Sequence, residues 1–210
     1  MTNLHRRKRL VLLDLDGVII DSRHNMELAW TGVQRELGIS IPFSRYFAEI
    51  GRPFADIMAR IGLADQAGQV EATYRRVSSQ QISDAPLFDG IEAFLRNAAR
   101  TGVKLGIVTS KDGARTQLVL DRIPVSFAVV MTPGGGLRGK PAPDPLLYAM
   151  AQTNTDPAET IFVGDMDSDA EAARRAGLDY VHVEWGYGGM PEYRTASVAT
   201  PADLTSLLFA

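Results

Sequence analysis

Cysteine is absent from this chain. That excludes a disulfide framework, a thiol nucleophile and any metal site built on thiolates. A strong charge of either sign is also missing: the net charge is −3 over 210 residues, which leaves no electrostatic footprint for nucleic acid. No apolar run reaches the length that spans a bilayer. The run that opens near residue 10 is broken by Asp14 and Asp16 and is too short for the core of a secretion signal. The one basic run, His5-Arg6-Arg7-Lys8-Arg9, reads as a solvated tail ahead of the first strand rather than a nucleic-acid or membrane arm. Internal repeats and low-complexity linkers are lacking too. These absences point to a soluble, cytoplasmic protein without nucleic-acid or membrane partners, long enough to bury roughly 70% of its unfolded surface without covalent staples.

What is present begins with Leu10-Val11-Leu12-Leu13-Asp14-Leu15-Asp16-Gly17. A short continuous apolar run bounded by a turn signal predicts a strand buried on both faces. Residues two apart on a strand share a face, so Asp14 and Asp16 are expected close together at its carboxyl end. Two such carboxylates are either a solvated pair opening a loop or the two walls of a cation site.

After this strand, apolar residues fall at helical spacing over 25–37, 53–61 and 66–80, with Gly38 and Gly62 placed as stops and 42–45 read as a connector. From Gly90 the pattern becomes an alternation. Helices are expected at 91–101, 113–121, 143–153, 169–176 and 201–209, with strands at 103–109, 127–131, 160–165 and 180–184. Strands alternating with helices predict an α/β fold with a doubly wound parallel sheet. The first strand belongs to that sheet. The chain therefore divides into a discontinuous core, 1–20 with 87–210, and an all-helical insertion over 21–86.

Four polar clusters follow apolar segments: Asp14/Asp16, Thr109/Ser110, Lys140, and Asp165/Asp169. Parallel strands bring their carboxyl ends to one edge, so the four should converge there. Taken singly, a Thr after a strand is a turn residue and a lone Lys a solvated charge; the joint placement is the signal. Asp165 and Asp169 lie one helical turn apart and can face one point, with Asp167 between them as a substitute. The alternative for Asp169 is simple stabilisation of a helix start by an acid. An all-oxygen set of Asp14, Asp16 and Asp165 suits Mg²⁺ rather than Zn²⁺. Thr109, Ser110 and Lys140 opposite it would form a phosphate cradle.

These residues resemble the haloacid dehalogenase superfamily, in particular its Mg²⁺-dependent phosphatases related to phosphoglycolate phosphatase. Asp14-Leu15-Asp16-Gly17-Val18-Ile19-Ile20-Asp21-Ser22 looks like the first motif of that family and Ile107-Val108-Thr109-Ser110-Lys111 like the second. Gly139-Lys140-Pro141 looks like the third, and Val163-Gly164-Asp165-Met166-Asp167-Ser168-Asp169 like the fourth. Trp185-Gly186-Tyr187-Gly188 is similar to a segment of the phosphoglycolate branch. The resemblance implies a Rossmann-like core with a small helical cap after the first motif, and a small phosphorylated metabolite as substrate. It implies Asp14 as nucleophile, forming an aspartyl-phosphate, and Asp16 as the acid and base, its backbone carbonyl helping to hold the metal. Asp165 and Asp14 would bind Mg²⁺, with Asp169 direct or one shell out. Thr109, Ser110 and Lys140 would bind the phosphoryl oxygens. For Asp16 to stay protonated beside an ionised Asp14, one of two carboxylates sharing a site must be pushed up.

Asp16 argues against carbon–halogen cleavage, because dehalogenases of the superfamily lack the second acid. Residues 21–86 contain no lysine, which argues against a phosphonate hydrolase. The same absence, with Met26 where the mutase histidine is expected, disfavours a sugar phosphomutase. Arg52, in Ile50-Gly51-Arg52-Pro53, is the insertion residue expected to face the site and meet the leaving group; the alternative is an ordinary surface arginine. The rival from another class is a phosphate-binding nucleotide loop at Gly134-Gly135-Gly136-Leu137-Arg138-Gly139-Lys140. It lacks the hydroxyl residue that such a loop needs next, since Pro141 stands there.

Overall fold

The computed structural model describes residues 8–209. β1 is Leu10–Leu13, β2 Lys104–Val108, β3 Val129–Met131, β4 Thr160–Gly164, β5 Asp179–Val183 and β6 Ala196–Val198. They form one sheet in the order β3-β2-β1-β4-β5-β6, every neighbour parallel. This is the doubly wound α/β architecture expected from the alternation. β1 is central because it can be: all four of its residues are apolar and buried. Val11 and Leu13 point into one layer of core and Leu10 and Leu12 into the other, so a strand with no polar face suits only the middle of a two-faced sheet.

On the Val11 face pack α5 (Ile91–Thr101) and α9 (Pro201–Phe209), through Phe94, Leu95 and Leu204. On the Leu12 face pack α7 (Asp144–Thr153) and α8 (Asp167–Ala176), through Leu146, Ala149, Ala172 and Ala173. The small residues of α8 let it lie close to Phe162 of β4. α6 (Gly113–Leu120) follows β2. The chain runs outward from β1 to β3, then crosses back to β4, so the winding reverses between β1 and β4. Open α/β sheets bind ligands at the carboxyl edge of such a reversal.

Between β1 and β2 the chain forms α1 (Arg23–Leu37), α2 (Phe43–Phe47), α3 (Phe54–Arg60) and α4 (Ala67–Ser79). These helices bury a third cluster that includes Trp30, Tyr46, Met58, Val70 and Tyr74. Trp30 stacks on Tyr46 with ring centroids 4.5 Å apart, and its indole N–H donates to the Ile41 carbonyl at 2.8 Å. The aromatic side chain therefore keeps both its apolar face and its polar edge satisfied.

Several expectations are corrected. Residues 42–45 are not a connector: Pro42 precedes a five-residue helix, α2, too short to show a period. β3 is shorter than 127–131, and β6 was not foreseen because its three residues carry no apolar run. The basic run is not wholly a solvated tail. His5 to Arg7 fall outside the described residues, but Lys8 pairs with Asp179 at 2.5 Å and Arg9 with Glu159 at 3.1 Å. The Arg9 N–H also donates to the Glu159 carbonyl, so the chain ahead of β1 lies against the start of β4, within reach of those acids. Among the described residues no helix is long and apolar enough to cross a membrane.

Candidate active site

The four clusters do converge at the carboxyl edge of the sheet. Asp14 follows β1, Thr109 follows β2 and Asp165 follows β4, while Asp169 sits in the first turn of α8. The Asp14 N–H donates to the Val163 carbonyl at 2.9 Å and the Thr109 N–H to Met131 at 3.0 Å. Ladder bonds thus carry each residue one step past its strand. Lys140 comes from the loop before α7 and is among the largest fully buried side chains, 1% exposed.

Lys140 Nζ lies 2.9 Å from Asp14 Oδ2, 2.6 Å from Asp169 Oδ1 and 3.4 Å from the Val108 carbonyl. Burial alone would lower its pKa, but the two carboxylates outweigh that and raise it, so the ammonium stays charged. Burial raises Asp14 to about 7, with Asp169 adding to the shift and Lys140 opposing it. Burial, then Asp169 and Asp14, push Asp165 well above the ordinary carboxylate range.

One oxygen from each of Asp14, Asp165 and Asp169 lies within 4.8 Å of the others. Three carboxylates against one ammonium leave an excess of negative charge in a place sealed from water. Asp165 Oδ1 is buried without a hydrogen-bond partner, while Oδ2 accepts the Tyr187 N–H at 2.7 Å. A buried, unpartnered carboxylate oxygen costs free energy unless a cation meets it. The donor set is all oxygen, so the residues fit a hard divalent cation. Gly17, in the left-handed region at φ +82°, makes the turn beneath this cluster; a Cβ there would stand 2.2 Å from Asp165 Oδ2. Only glycine permits both that backbone angle and that approach.

Asp16 does not join the three-acid cluster. Its carboxylate pairs with Lys111 Nζ at 3.0 Å and accepts the Ser22 hydroxyl. Strand alternation predicts one site for the two acids; in the structure each has its own lysine, because the chain leaves β-geometry after Leu13. Among the causes of the upward push on Asp14, Asp16 is the smallest. Thr109 is buried and its Oγ1 accepts the Lys111 N–H at 3.1 Å, while the Ser110 hydroxyl donates to the Gly51 carbonyl at 3.4 Å.

The α1–α4 unit covers this edge. Its loop carbonyl at Gly51 also accepts the Ser168 hydroxyl at 2.9 Å, and Phe47 meets Tyr187 edge-on at 5.3 Å. A cavity of about 80 Å³ lies between the two units, lined by Asp14, Asp16, Thr109, Ser110, Lys111 and Arg115 from below. Arg52 does reach this wall, but its side chain is 37% exposed and its Nε pairs with Glu49 at 3.4 Å. Asp167 lies outside the acidic cluster.

Lys111 and Arg115 were given no role by the sequence reading, although both are buried on the cavity wall. Lys111 had a signal, since it directly follows Thr109-Ser110 at a strand end. For Arg115 the signal was Asp112 three residues earlier, which caps α6 by accepting the Arg115 N–H and holds the Arg115 side chain.

The chain is similar to several known proteins. The profile of the haloacid dehalogenase-like hydrolase family matches residues 11–183. A phosphoglycolate phosphatase of Xanthomonas campestris is 31% identical over 87% of this chain and 86% of its own length. The tyrosine-protein kinase PtkA of Mycobacterium tuberculosis is 30% identical over 86% of this chain, which spans 63% of that kinase. A haloacid dehalogenase-like family hydrolase of Streptococcus pneumoniae superposes with a TM-score of 0.82 at 23% identity, over 95% of this chain and 97% of its own, a likeness of fold.

Proposed function

The chain belongs to the haloacid dehalogenase-like hydrolase family, and on that premise we propose that it is a Mg²⁺-dependent phosphatase of small phosphate monoesters, working through an aspartyl-phosphate on Asp14. The observation that carries this reading is Lys140, buried between Asp14 and Asp169 beside the unpartnered Oδ1 of Asp165. The phosphoglycolate phosphatase relatives favour it over the kinase, because the chain covers most of their length and a smaller share of PtkA.

Asp14, Asp165 and Asp169 would hold the Mg²⁺, with the Asp16 carbonyl contributing. The ion would neutralise charge on the phosphoryl oxygens and let an anionic nucleophile approach a dianion. Lys140 supplies the second positive charge, and with the Thr109 hydroxyl and the Ser110 N–H it would hold the phosphoryl group in line with Asp14. Asp14 Oδ1 already accepts the Leu15 N–H at 2.7 Å, which fixes the carboxylate plane. Asp16 would give its proton to the leaving oxygen as the P–O bond breaks, then take one from the water that attacks the aspartyl-phosphate.

Helices α1–α4, the segment 21–86, would act as a cap that shuts water out during attack, with Arg52 at the rim toward the leaving group. The cavity suits a small phosphorylated metabolite: about 80 Å³ is room for on the order of six waters. Phosphoglycolate is the first candidate and sugar phosphates the second. The proposed setting is the cytoplasm, where such metabolites are made and used.

The test is phosphate release from a panel of small monoesters, with and without Mg²⁺, beside the Asp14→Asn variant. Turnover that needs both the ion and Asp14 is the expected result. No release from any ester would overturn the reading and bring the phosphomutase forward.

A further inference from the structure

Beyond Asp16 the cavity carries a set of donors that the phosphoryl step does not use. Arg115 is one of its walls, its side chain only 8% exposed. Its Nε donates to Asp112 Oδ2 at 2.6 Å, and its guanidinium carbon lies 5.4 Å from the centre of the Tyr74 ring. Asp112 is also within 3.7 Å of Arg75 Nε, so two guanidiniums share that carboxylate; the outer side of Arg75 is met by Glu71. Tyr46 and Tyr74 stand beside Arg115 with ring centroids 5.3 Å apart, both buried. Burial lifts Tyr46 well above its usual range and pushes Tyr74 up to about 12. The Tyr74 hydroxyl is hydrogen-bonded both to the Tyr46 hydroxyl and to the Arg115 guanidinium, so the three side chains form one buried polar network on the cavity wall.

A buried guanidinium held through Nε by one carboxylate and by a single phenol oxygen keeps further terminal N–H groups for another acceptor, and it favours a planar, bidentate one. Lys111 is committed to Asp16 at 3.0 Å, and Arg52 is at the rim. That leaves Arg115 as the deep cation.

We propose that Arg115, positioned by Asp112 and flanked by the Tyr46 and Tyr74 hydroxyls, determines specificity by binding a carboxylate on the leaving part of the ester. The proposal rests on the phosphatase reading above and moves recognition of the leaving group from the cap loop to helix α6. The size of the cavity limits the carboxylate to a few bonds from the ester oxygen.

The experiment measures binding in the Asp14→Asn background with Mg²⁺ present, so that it reads out even where turnover does not. Three probes are compared: 2-phosphoglycolate, ethyl phosphate of similar size without the carboxylate, and the bisphosphate of ethylene glycol. Arg115→Met should weaken 2-phosphoglycolate by about 30- to 100-fold and ethyl phosphate by less than about 3-fold. Arg115→Lys should restore part of the difference. Tyr74→Phe, which keeps the ring under the guanidinium and removes only the hydroxyl, should cost 2-phosphoglycolate selectively by about 3- to 10-fold, and it carries the test should Arg115→Met not fold. Equal weakening of the first two probes, or of neither, would overturn the proposal. So would a bisphosphate that binds the unsubstituted Arg115 site more tightly than the carboxylate. Loss of turnover on every ester with this binding pattern intact would count against the phosphatase reading alone.

Discussion

Lys140 Nζ stands 2.6 Å from Asp169 Oδ1, with both side chains almost wholly out of water. The pair joins a loop to the first turn of α8 and leaves the second lysine contact for Asp14. Removing one partner of a buried ion pair strands the other charge, at a cost of about 3–5 kcal/mol. Lys140→Met should therefore lower metal-free stability by that order in a urea titration and abolish phosphate release. Excess Mg²⁺ should recover part of the stability and none of the activity.

Metal removal should reveal the burial of Asp14 and Asp165 through pH. Asp14 and Asp165 hold protons more tightly in the folded chain than the usual carboxylate value of about 4. The native state then binds more protons than the unfolded one, and stability falls as pH rises, between about 4 and about 7 for Asp14. Thermal melts in a chelator should show a steeper fall over that window than melts with Mg²⁺. Asp165→Asn should flatten the chelator curve and abolish stabilisation by the ion. An unchanged curve in that variant would remove the cation site from consideration.

How much of this was legible beforehand follows from what each residue depends on. The order of elements and the convergence of Asp14, Thr109, Lys140 and Asp165 were readable because they hang on β1 and its neighbours, whose apolar runs are local and whose parallel pairing fixes which ends meet. β6 was not readable, since Ala196–Val198 is a strand only by pairing with Val181–Val183. The separate fates of Asp14 and Asp16 were not readable either. Strand alternation places them on one side, but the chain departs from a strand at Asp14, and the deciding partners, Lys140 and Lys111, come from far along the sequence. Tyr46 and Tyr74 are both buried in the cluster of the α1–α4 helices, with Trp30 stacked behind Tyr46; only the fold shows that both also border the cavity.

The docking of the loop that carries Gly51 against Ser168 and Ser110 should be testable at Gly51. Its φ is +86°, and a Cβ there would come 2.9 Å from Ser168 Oγ and 3.1 Å from Met166. Gly51→Ala should cost about 1–2 kcal/mol from the backbone alone. The crowding should also lift the loop from Ser168 and Ser110 and raise KM. Ser168→Ala removes the 2.9 Å hydrogen bond without crowding, and a rise in KM with stability nearly unchanged would assign the effect to docking rather than to folding.

Asp16 should separate chemistry from binding. Held by Lys111 and Ser22, its carboxyl is proposed to deliver a proton to the leaving oxygen. Asp16→Asn keeps the shape and removes the proton transfer, so kcat should fall by about 10²- to 10⁴-fold. The loss should shrink for esters whose leaving group departs without help, such as p-nitrophenyl phosphate. An equal loss on good and poor leaving groups would mean that Asp16 acts on the nucleophile or the ion instead.

Arg52 and Arg115 make opposite predictions although both border one cavity. Arg52 is 37% exposed at the rim and its partner Glu49 also lies 3.6 Å from Arg60, so water and a neighbouring cation share the carboxylate. Contacts made there act equally on bound substrate and transition state and are screened by solvent. Arg52→Ala should raise KM by about 3-fold, leave kcat alone and respond to salt, regardless of what the leaving group carries. Arg115 is buried and oriented by Asp112, so its loss should depend on the substrate's carboxylate and hardly on salt. Kinetics of both variants on 2-phosphoglycolate and ethyl phosphate at two ionic strengths would show which arginine reads the leaving group. Selectivity lost at Arg52 instead of Arg115 would return recognition to the loop ahead of α3.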